Sequence, residues 1–294
     1  MPHHTTHTTA ATLVAATERS PADWHAAFTA AFADYLIGPF NLTLAQWPAF
    51  LARQGVDLAL SRAAVVDGAL VAFALVAPRP VRGRWRLGTM GALPAARGSG
   101  AAPALLDDFI ARARQAGVRT LELEVFAANE RALRLYQGRG FETIHPLRGH
   151  ERAPGPAAGE APPVQAVTLD EAWAWLDAAD ARIADLPLQV TSQVLRVAAA
   201  AAPAGAPLQA WRDGDAQLVF AEQPAQQAVA VHSLVDLDPA QPGALALAQA
   251  LAARHPGHTL RVPALQRPDL GGDALQRAGF APQALHQWLM RRAL

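Results

Sequence analysis

The stretch from Gly88 to Phe141 constrains the fold of this chain more than any other, because it alternates strand, glycine-rich turn, helix, strand and helix. A first strand is predicted over 86–93, before the turn at 97–102. Apolar residues then recur at helical spacing until Gly117, a residue type that ends helices. Residues 120–126 alternate between apolar and polar side chains, which predicts a strand with one buried face.

The glycine-rich turn has the properties of an anion-binding site. Glycines let the backbone approach a ligand closely, and the first N–H groups of the following helix have no acceptor within that helix. Together with the helix dipole, these N–H groups suit a pyrophosphate. Pro103 lies in the first helical turn, where its missing N–H costs little. A turn that uses glycine for geometry alone is the other interpretation, and the turn by itself leaves both open.

Three kinds of phosphate-binding motif contain such a turn. A P-loop requires a lysine, and the chain contains none, so this motif is excluded. Gly98 and Gly100 fit the first two glycines of a dinucleotide fingerprint. Glu122 or Glu124 fits its acidic residue about 20 positions further on, but Pro103 occupies the position of its third glycine.

The third motif fits best. Residues 92–102 read Ala-Leu-Pro-Ala-Ala-Arg-Gly-Ser-Gly-Ala-Ala, residues 121–125 read Leu-Glu-Leu-Glu-Val, and residues 129–141 read Asn-Glu-Arg-Ala-Leu-Arg-Leu-Tyr-Gln-Gly-Arg-Gly-Phe. In this order and spacing they resemble the coenzyme A site of the GNAT superfamily of N-acetyltransferases. The family motifs are V-x-P-x-x-R-G-x-G-x-G/A, L-x-L-x-V and N-x-x-A-x-x-L-Y-x-x-x-G-F. The one departure is Ala92, where a larger β-branched residue is usual.

The resemblance implies how acetyl-coenzyme A, as co-substrate, is bound. Its pyrophosphate is expected on the backbone amides of the turn, to which Arg97 adds charge. The turn residues are Arg97, Gly98, Ser99, Gly100, Ala101 and Ala102. The pantetheine arm is expected to pair like an added strand with Met90, Gly91 and Ala92, where one amide polarises the thioester carbonyl. Asn129 is expected to bond the backbone or the cofactor.

The same resemblance implies catalytic roles. Tyr136 stands at the family's position for the proton donor to the leaving thiolate. Glu122 and Glu124 share a strand face, and each is a candidate base, directly or through water, or simply an exposed strand carboxylate. Because the chain has no cysteine, we expect the acyl group to pass directly to the amine rather than through an enzyme intermediate.

The composition argues against several classes of partner and binding site. Formal net charge is zero, which argues against nucleic acid or an anionic membrane as the main partner. The absence of cysteine excludes disulfides and cysteine-ligated metals, and no metal site is expected. No apolar run is long enough to span a bilayer, and the N-terminus does not resemble a signal peptide, so a cytoplasmic location is expected.

Residues 1–17 are rich in Thr, Ala and His and lack periodicity, which predicts a disordered tail. Its histidines, His3, His4 and His7, more readily indicate a solvated tail than a metal site. Two helices then follow, and the resemblance implies that they form one wall of the acceptor pocket. Candidate wall residues are Asp34, Tyr35 and Asn41, although an ordinary surface position is the favoured interpretation of each.

The second half repeats the element order of the first. A Pro/Gly/Ala linker is predicted over 151–163, between a catalytic domain at 18–150 and a degenerate GNAT-like domain at 164–294. The second half has no Arg-Gly-x-Gly turn, and Asp238 stands where it would repel a pyrophosphate. Aligning the two Gly-Phe pairs places Leu275 opposite Tyr136 and Pro268 opposite Asn129 in the order of the chain.

These observations predict an α/β (α+β) chain of two tandem GNAT-like domains, each a mixed, mainly antiparallel twisted sheet flanked by helices. The predicted function is acetyl- or acyl-coenzyme A-dependent N-acetyl transfer to an amine of a small molecule or peptide. A non-catalytic acyl-coenzyme A sensor is the alternative, and a nicotinamide enzyme ranks third. Either a monomer with pseudo-dimeric tandem domains or a homodimer is expected. The second half is expected to be structural, although binding of a regulator is not excluded by its sequence.

Overall fold

The computed structural model describes residues 11–156, 160–201 and 206–294. These residues form two compact units. The first unit extends to Leu123 and includes Arg291–Leu294, and the second is Glu124–Met290. Each is built from a mixed, mainly antiparallel sheet with helices, as the sequence predicted.

The first unit carries the strand order β1-β2-β3-β4-β5. Its successive pairs are antiparallel except β4 with β5, which is parallel. Its elements are β1 (Thr12–Ala15), α1 (Pro21–Ala31), α2 (Trp47–Arg53), β2 (Asp57–Val66), β3 (Ala69–Arg79), β4 (Arg84–Ala92), α3 (Ala101–Gln115) and β5 (Thr120–Phe126), whose last three residues belong to the second unit.

The second unit carries the strand order β12-β6-β11-β10-β9-β8-β7. Its elements are α4 (Glu130–Gln137), β6 (Glu142–Arg152), β7 (Gln165–Val167), α5 (Leu169–Arg182), α6 (Ser192–Ala200), β8 (Leu208–Asp213), β9 (Ala216–Gln223), β10 (Ala228–Asp236), α7 (Pro242–Arg254), β11 (Thr259–Gln266), α8 (Gly272–Arg277) and β12 (Ala281–Ala293), whose last residues belong to the first unit.

An aromatic core holds α1 and α2 on the sheet of the first unit. Ser20 caps α1, accepting a hydrogen bond from the backbone N–H of Asp23 at 3.2 Å. Phe28 lies at the centre of the core, with ring centroids 4.8 to 5.9 Å from its aromatic neighbours. These neighbours are Phe32, Phe40, Trp47, Phe50 and Phe73. Burying this much aromatic surface is the main stabilising contribution in this part of the unit.

The prediction of disorder over 1–17 is wrong for residues 12–17. Residues 12–15 form β1, which pairs antiparallel with β2 from Thr12↔Val65 to Ala15↔Arg62. Ala16 is fully buried, and its carbonyl accepts a hydrogen bond from Trp24 Nε1 at 3.0 Å. Four residues are too few to show a period in a Thr/Ala-rich sequence, so tertiary pairing decides the structure here. The predictions for His3, His4 and His7 lie outside the described residues.

The second half repeats the order of the first, from a short strand and two helices through to the last helix and strand. In both halves a parallel strand pair follows a hairpin, β4 with β5 and β10 with β11. The two Gly-Phe corners have the same geometry: Phe141 N–H donates to Tyr136 O at 3.1 Å, and Phe280 N–H donates to Leu275 O at 3.0 Å. This agrees with the alignment of Leu275 on Tyr136 made from the sequence.

The predicted linker does not coincide with the division between the compact units. β6 continues through Arg152 and pairs antiparallel with β11 of the second half, with Val262 opposite His150. At the other end of the chain, the backbone N–H of Leu294 donates to Arg119 O at 3.1 Å, within the first unit. The strand pair β6–β11 crosses the predicted boundary between residues 18–150 and 164–294. These two domains therefore stay a prediction made from the sequence repeat.

One buried histidine should make the stability of this fold depend on pH. His150 is 1% exposed, and in the described part of the chain neither of its ring nitrogens has a hydrogen-bond partner. Burial, assisted by the nearby Arg148, lowers its pKa from 6.5 to about 4, although Asp273 opposes the shift. The pKa values of His255 and His286 are lowered in the same direction, again mainly by burial.

We predict that stability is constant above pH 6.5 and falls as the pH is lowered towards 4. In this window the unfolded His150 takes up a proton and the folded one does not, which is worth up to about 3 kcal/mol. Urea unfolding at pH 7 and pH 5 measures the difference. His150→Phe should lose much less stability than the wild type between the two pH values. An equal loss in both would show that His150 does not contribute.

Candidate cofactor and catalytic site

The edge of β4 that faces β5 is only partly used by the sheet. β4 pairs with β3 along its whole length, from Arg84↔Arg79 to Ala92↔Ala72. Its pairing with β5 covers only Arg84 to Leu87. Because β3 and β5 are the two neighbours of β4 in the sheet, the edge over 88–92 has no strand partner within the described ranges of the chain. An exposed strand edge is a template for an extended ligand.

Met90, Gly91 and Ala92, the residues predicted to bind the pantetheine arm, all lie on this open edge. A Cβ atom at Gly91 would lie 2.8 Å from Phe73 Cζ and 3.2 Å from Phe32 Cε2. Glycine is therefore required at this position so that the strand can lie directly on the aromatic core.

The glycine-rich turn joins the open edge to α3. Gly98 and Gly100 have φ angles of 89° and 90°, a left-handed conformation that favours glycine. A Cβ atom at either position would have no protein atom within 4 Å. Ser99 braces the turn by donating from Oγ to Ala96 O at 2.8 Å.

The turn offers backbone donors without protein acceptors. Among the hydrogen bonds of residues 11–156, none uses the backbone N–H of Gly98, Gly100 or Ala102, and that of Ala101 makes only a 3.4 Å contact with Ser99 Oγ. α3 begins at Ala101, so these donors lie at the positive end of a 15-residue helix. The arrangement fits a polyphosphate, and it involves the turn residues that the sequence indicated.

The side chain of Arg97 is already engaged. Its Nη1 and Nη2 each lie 2.6 Å from an oxygen of Asp34, and Nη2 also donates to Ala31 O at 3.1 Å. The hydrogen bond to Arg97 lowers the pKa of Asp34, and the same bond raises the pKa of Arg97. The guanidinium thus ties the turn to the end of α1, an arrangement that differs from the expected role of adding charge to phosphates. Asp34, expected in the acceptor wall, is its partner.

Glu122 lies in a buried ion pair at the start of β5. It is 2% exposed, and its two oxygens lie 2.7 Å from Arg79 Nη1 and 3.2 Å from Arg84 Nη1. Two arginines thus neutralise this carboxylate and hold it in place. The environment favours a structural role for Glu122 over the predicted role of base.

Glu124, the other predicted base, has a different environment in the second unit. It is partly buried, and Gln189 Nε2 donates to its Oε2 at 3.4 Å. Gln189 was not found by sequence reasoning. It lies 65 residues from Glu124 and outside any motif, so no local pattern pairs the two.

Asn129 and Tyr136 lie at the two ends of α4. Asn129 caps the helix, and its Oδ1 accepts from the backbone N–H of Ala132 at 3.2 Å. Tyr136 is 7% exposed, and its ring packs edge-on against Phe141 with centroids 6.0 Å apart. The backbone-bonding role expected for Asn129 is thus observed, and its side-chain amide nitrogen is not used by the cap.

In the second half, a side chain of the protein itself occupies the N-terminus of α7, the helix that corresponds to α3. The buried Asp236 carboxylate accepts from the backbone N–H of Ala244 at 2.8 Å and from that of Asp238 at 2.9 Å. A Cβ atom at Gly243 would lie 2.4 Å from Asp213 O. The carboxylate that occupies the start of α7 is therefore Asp236, whereas Asp238, singled out from the sequence, bonds the N–H of Ala240.

In the second half, a side chain also occupies the edge of β10 that β11 leaves unpaired. β10 pairs with β11 only from Ala228 to Ala230. Beyond that point, Gln266 Nε2 donates to three carbonyls, those of Leu234, Arg267 and Leu270, at 3.1 to 3.2 Å. The cavity beside them, lined in part by Leu186 and Leu234, has a volume of about 10 Å³, room for no more than one water.

Two further properties bear on function. Within the described ranges, no helix is both long and apolar enough to cross a membrane. Over the same residues, no three His, Asp or Glu side chains lie close enough together to hold a metal ion.

Comparison with known proteins relates one part of this chain to a family. Residues 22–141 match the family model of the Acetyltransferase (GNAT) family. The match covers less than half of the chain, and it falls on the residues whose motifs resemble that family. A comparison with curated proteins found no match.

Solved structures show the same fold over nearly the whole chain. The GCN5-related N-acetyltransferase from Sphaerobacter thermophilus has 18% identity and a TM-score of 0.66, with 96% of this chain and 95% of that chain covered. The GCN5-related N-acetyltransferase from Anabaena variabilis ATCC 29413 has 13% identity and a TM-score of 0.61, with 95% and 72% covered. At these identities the likeness establishes the fold alone.

The ion pair of Glu122 leads to a stability prediction. We expect Glu122→Gln to lower the free energy of unfolding by about 3 kcal/mol, because it removes the carboxylate to which the buried Arg79 and the partly buried Arg84 are bonded. The matched control is Glu130→Gln, since Glu130 pairs with Arg134 on the exposed face of α4 and should contribute at most about 0.5 kcal/mol. Urea unfolding followed by tryptophan fluorescence gives both values. Full stability with lost turnover in Glu122→Gln would instead indicate a base.

Proposed function

We propose that the chain is an acyl-coenzyme A-dependent N-acyltransferase that transfers an acetyl or other acyl group directly to an amine of a small molecule or peptide. The observation that carries the proposal is the open edge of β4. It leads into a turn in which the backbone N–H groups of Gly98, Gly100 and Ala102 have no acceptor among the described residues. An edge followed by an anion cradle fits a ligand with an amide-bearing arm and a diphosphate. The match of residues 22–141 to the GNAT family supports the same conclusion.

In this proposal the cofactor is held mainly by backbone. Gly98, Gly100 and Ala102 donate to the diphosphate, and residues 90–92 pair with the pantetheine amides. Acetyl-coenzyme A supplies an activated thioester. A backbone N–H at the open edge polarises its carbonyl, where negative charge develops during attack.

The remaining chemistry concerns two protons. The nitrogen of the neutral amine forms a bond to the thioester carbon, the carbon–sulfur bond breaks, and an amide and a thiolate result. Tyr136 donates a proton to this thiolate, whose conjugate acid has a pKa near 8.5 if it resembles cysteine. The proton lost by the amine passes to Glu124, directly or through water. Glu124 is preferred over Glu122 because ion pairs with Arg79 and Arg84 hold Glu122.

We further propose that residues 18–150 and 164–294 are tandem GNAT-like domains and that the second does not bind coenzyme A. The recurring element order supports the repeat. The Asp236 carboxylate at the start of α7 and the filled opening beyond β10 support the loss of the cofactor site.

Gly100→Ala tests the cofactor site. We predict at least a tenfold loss of acetyl-coenzyme A affinity by isothermal titration, because the new methyl group enters the open space where a diphosphate would lie. Gly68→Ala is the matched control: Gly68 also has a left-handed φ, 81°, with nothing within 4 Å, but it lies in the β2–β3 turn. Both changes strain the backbone by about 1 kcal/mol, and only Gly100→Ala should weaken binding. Equal affinity in the two variants would argue against the proposed cradle.

Tyr136→Phe separates catalysis from binding. We predict that kcat falls by about 10²- to 10⁴-fold while the Kd for acetyl-coenzyme A stays within twofold, since only the proton donor is removed. Steady-state assays of thiol release and a binding titration measure the two quantities. A wild-type chain that binds acetyl-coenzyme A but turns over no amine would favour the sensor instead.

A further inference from the structure

The second half of the chain contacts the residues that follow Leu123 in the first half, within the compact unit Glu124–Met290. Gln189, between α5 and α6, donates from Nε2 to Glu124 Oε2 at 3.4 Å. His286, on β12, accepts at its carbonyl from the backbone N–H of Ala127 at 3.0 Å. Two separate elements of the second half therefore contact the end of β5 and the residue after it.

The segment that carries Gln189 is held firmly. Its neighbours Leu188 and Val190 are both buried, and the three residues form one 3₁₀ turn. Nearby, Asp185 has a φ of 96°, and its carbonyl accepts from the buried Arg267 Nη1 at 3.2 Å. A non-glycine residue in this conformation indicates a backbone fixed by its surroundings. Gln189 is thus presented to Glu124 from a rigid segment.

Gln189 also has an acceptor that the protein does not use. Its Oε1 is buried and has no hydrogen-bond partner among the residues that the structure describes. A buried acceptor without a donor is costly, and such groups in folded proteins require an explanation. Because Oε1 belongs to the same amide that donates to the Glu124 carboxylate, a ligand here would meet an amide oxygen and a carboxylate together. A protonated amine, with several donors and a positive charge, fits that pair.

We propose that Gln189, a residue of the second half, positions Glu124 and binds the acceptor substrate through Oε1, and that this substrate is a primary amine that enters as an ammonium ion. The proposal rests on the acyl transfer proposed above. The bound ammonium gives one proton to the Glu124 carboxylate, which releases it to solvent. The neutral nitrogen then attacks the thioester carbon and loses a second proton to Glu124, while the carbon–sulfur bond breaks and the thiolate takes a proton from Tyr136. Transfer of the second proton from Glu124 to Tyr136 through solvent restores both side chains. The amide of Gln189 neither gains nor loses a proton. On this view the second half is retained because it completes the acceptor site.

The test compares Gln189→Leu with Gln209→Leu. Gln209 Nε2 donates to Glu222 Oε1 at 3.3 Å in the β8–β9 hairpin, so the control removes the same kind of amide–carboxylate pair elsewhere in the second half. Initial rates of thiol release from acetyl-coenzyme A are measured with primary alkylamines, amino acid amides and short peptides with free N-termini. The KM values for the amine and for acetyl-coenzyme A are determined separately for the best acceptor.

Gln189→Leu should raise the KM for the amine at least about tenfold, the scale of a lost hydrogen bond to a charged group. The KM for acetyl-coenzyme A should stay within twofold, and Gln209→Leu should change neither value. Gln189→Asn keeps both the amide donor and the oxygen acceptor and should restore part of the amine affinity. It also serves as the second variant if Gln189→Leu fails to fold by thermal denaturation.

The outcomes separate this inference from the proposed function. An active wild type whose amine KM is unchanged in both Gln189 variants overturns the role of Gln189 and leaves the acyl transfer intact. A wild type that transfers acetyl to no amine of the panel overturns both. The primary alcohol that corresponds to the best amine gives an independent check, because it carries no positive charge. If its inhibition constant equals the KM for the amine, the site does not select a cation.

Discussion

The candidate cofactor site depends on where the pairing of β4 with β5 stops. At the start of the two strands, Glu122 of β5 is bonded to Arg79 and Arg84, and four residue pairs are in register. After Leu87 the pairing ends while β4 continues to Ala92. A buried, charge-assisted contact thus fixes the closed end of the strand pair, and the open end provides backbone groups that no strand uses.

The sequence predicted the parts of this site that are local. The glycine-rich turn, the helix after it and the Gly-Phe corner follow from spacing within a few residues, and the structure has all three. The parts that it missed depend on contacts between distant residues. Arg97 and Asp34 are 63 residues apart, and Glu124 and Gln189 are 65 residues apart. No single-sequence pattern records such pairs, since each partner is an ordinary polar residue in its own surroundings.

The same reasoning explains the error at the N-terminus. β1 has only four residues, and its place in the sheet comes from pairing with β2 rather than from its own composition. The domain boundary was judged from composition as well, and the Pro/Gly/Ala stretch does follow the first repeat. Composition does not show that β6, which precedes this stretch, pairs with β11, which lies more than a hundred residues further on.

The pairing of β6 with β11 affects whether either repeat of the chain can exist without the other. A cut at 153–163 would leave β6 with an unprotected hydrogen-bonding edge, a feature that promotes aggregation. Expression of the first repeat alone should therefore give insoluble protein, even though the family match ends at residue 141. Because a strand of the first repeat, β6, pairs with a strand of the second, β11, the folding of each repeat depends on the other. The second repeat could then not be deleted without exposing β6, because it supplies the strand β11 that pairs with β6.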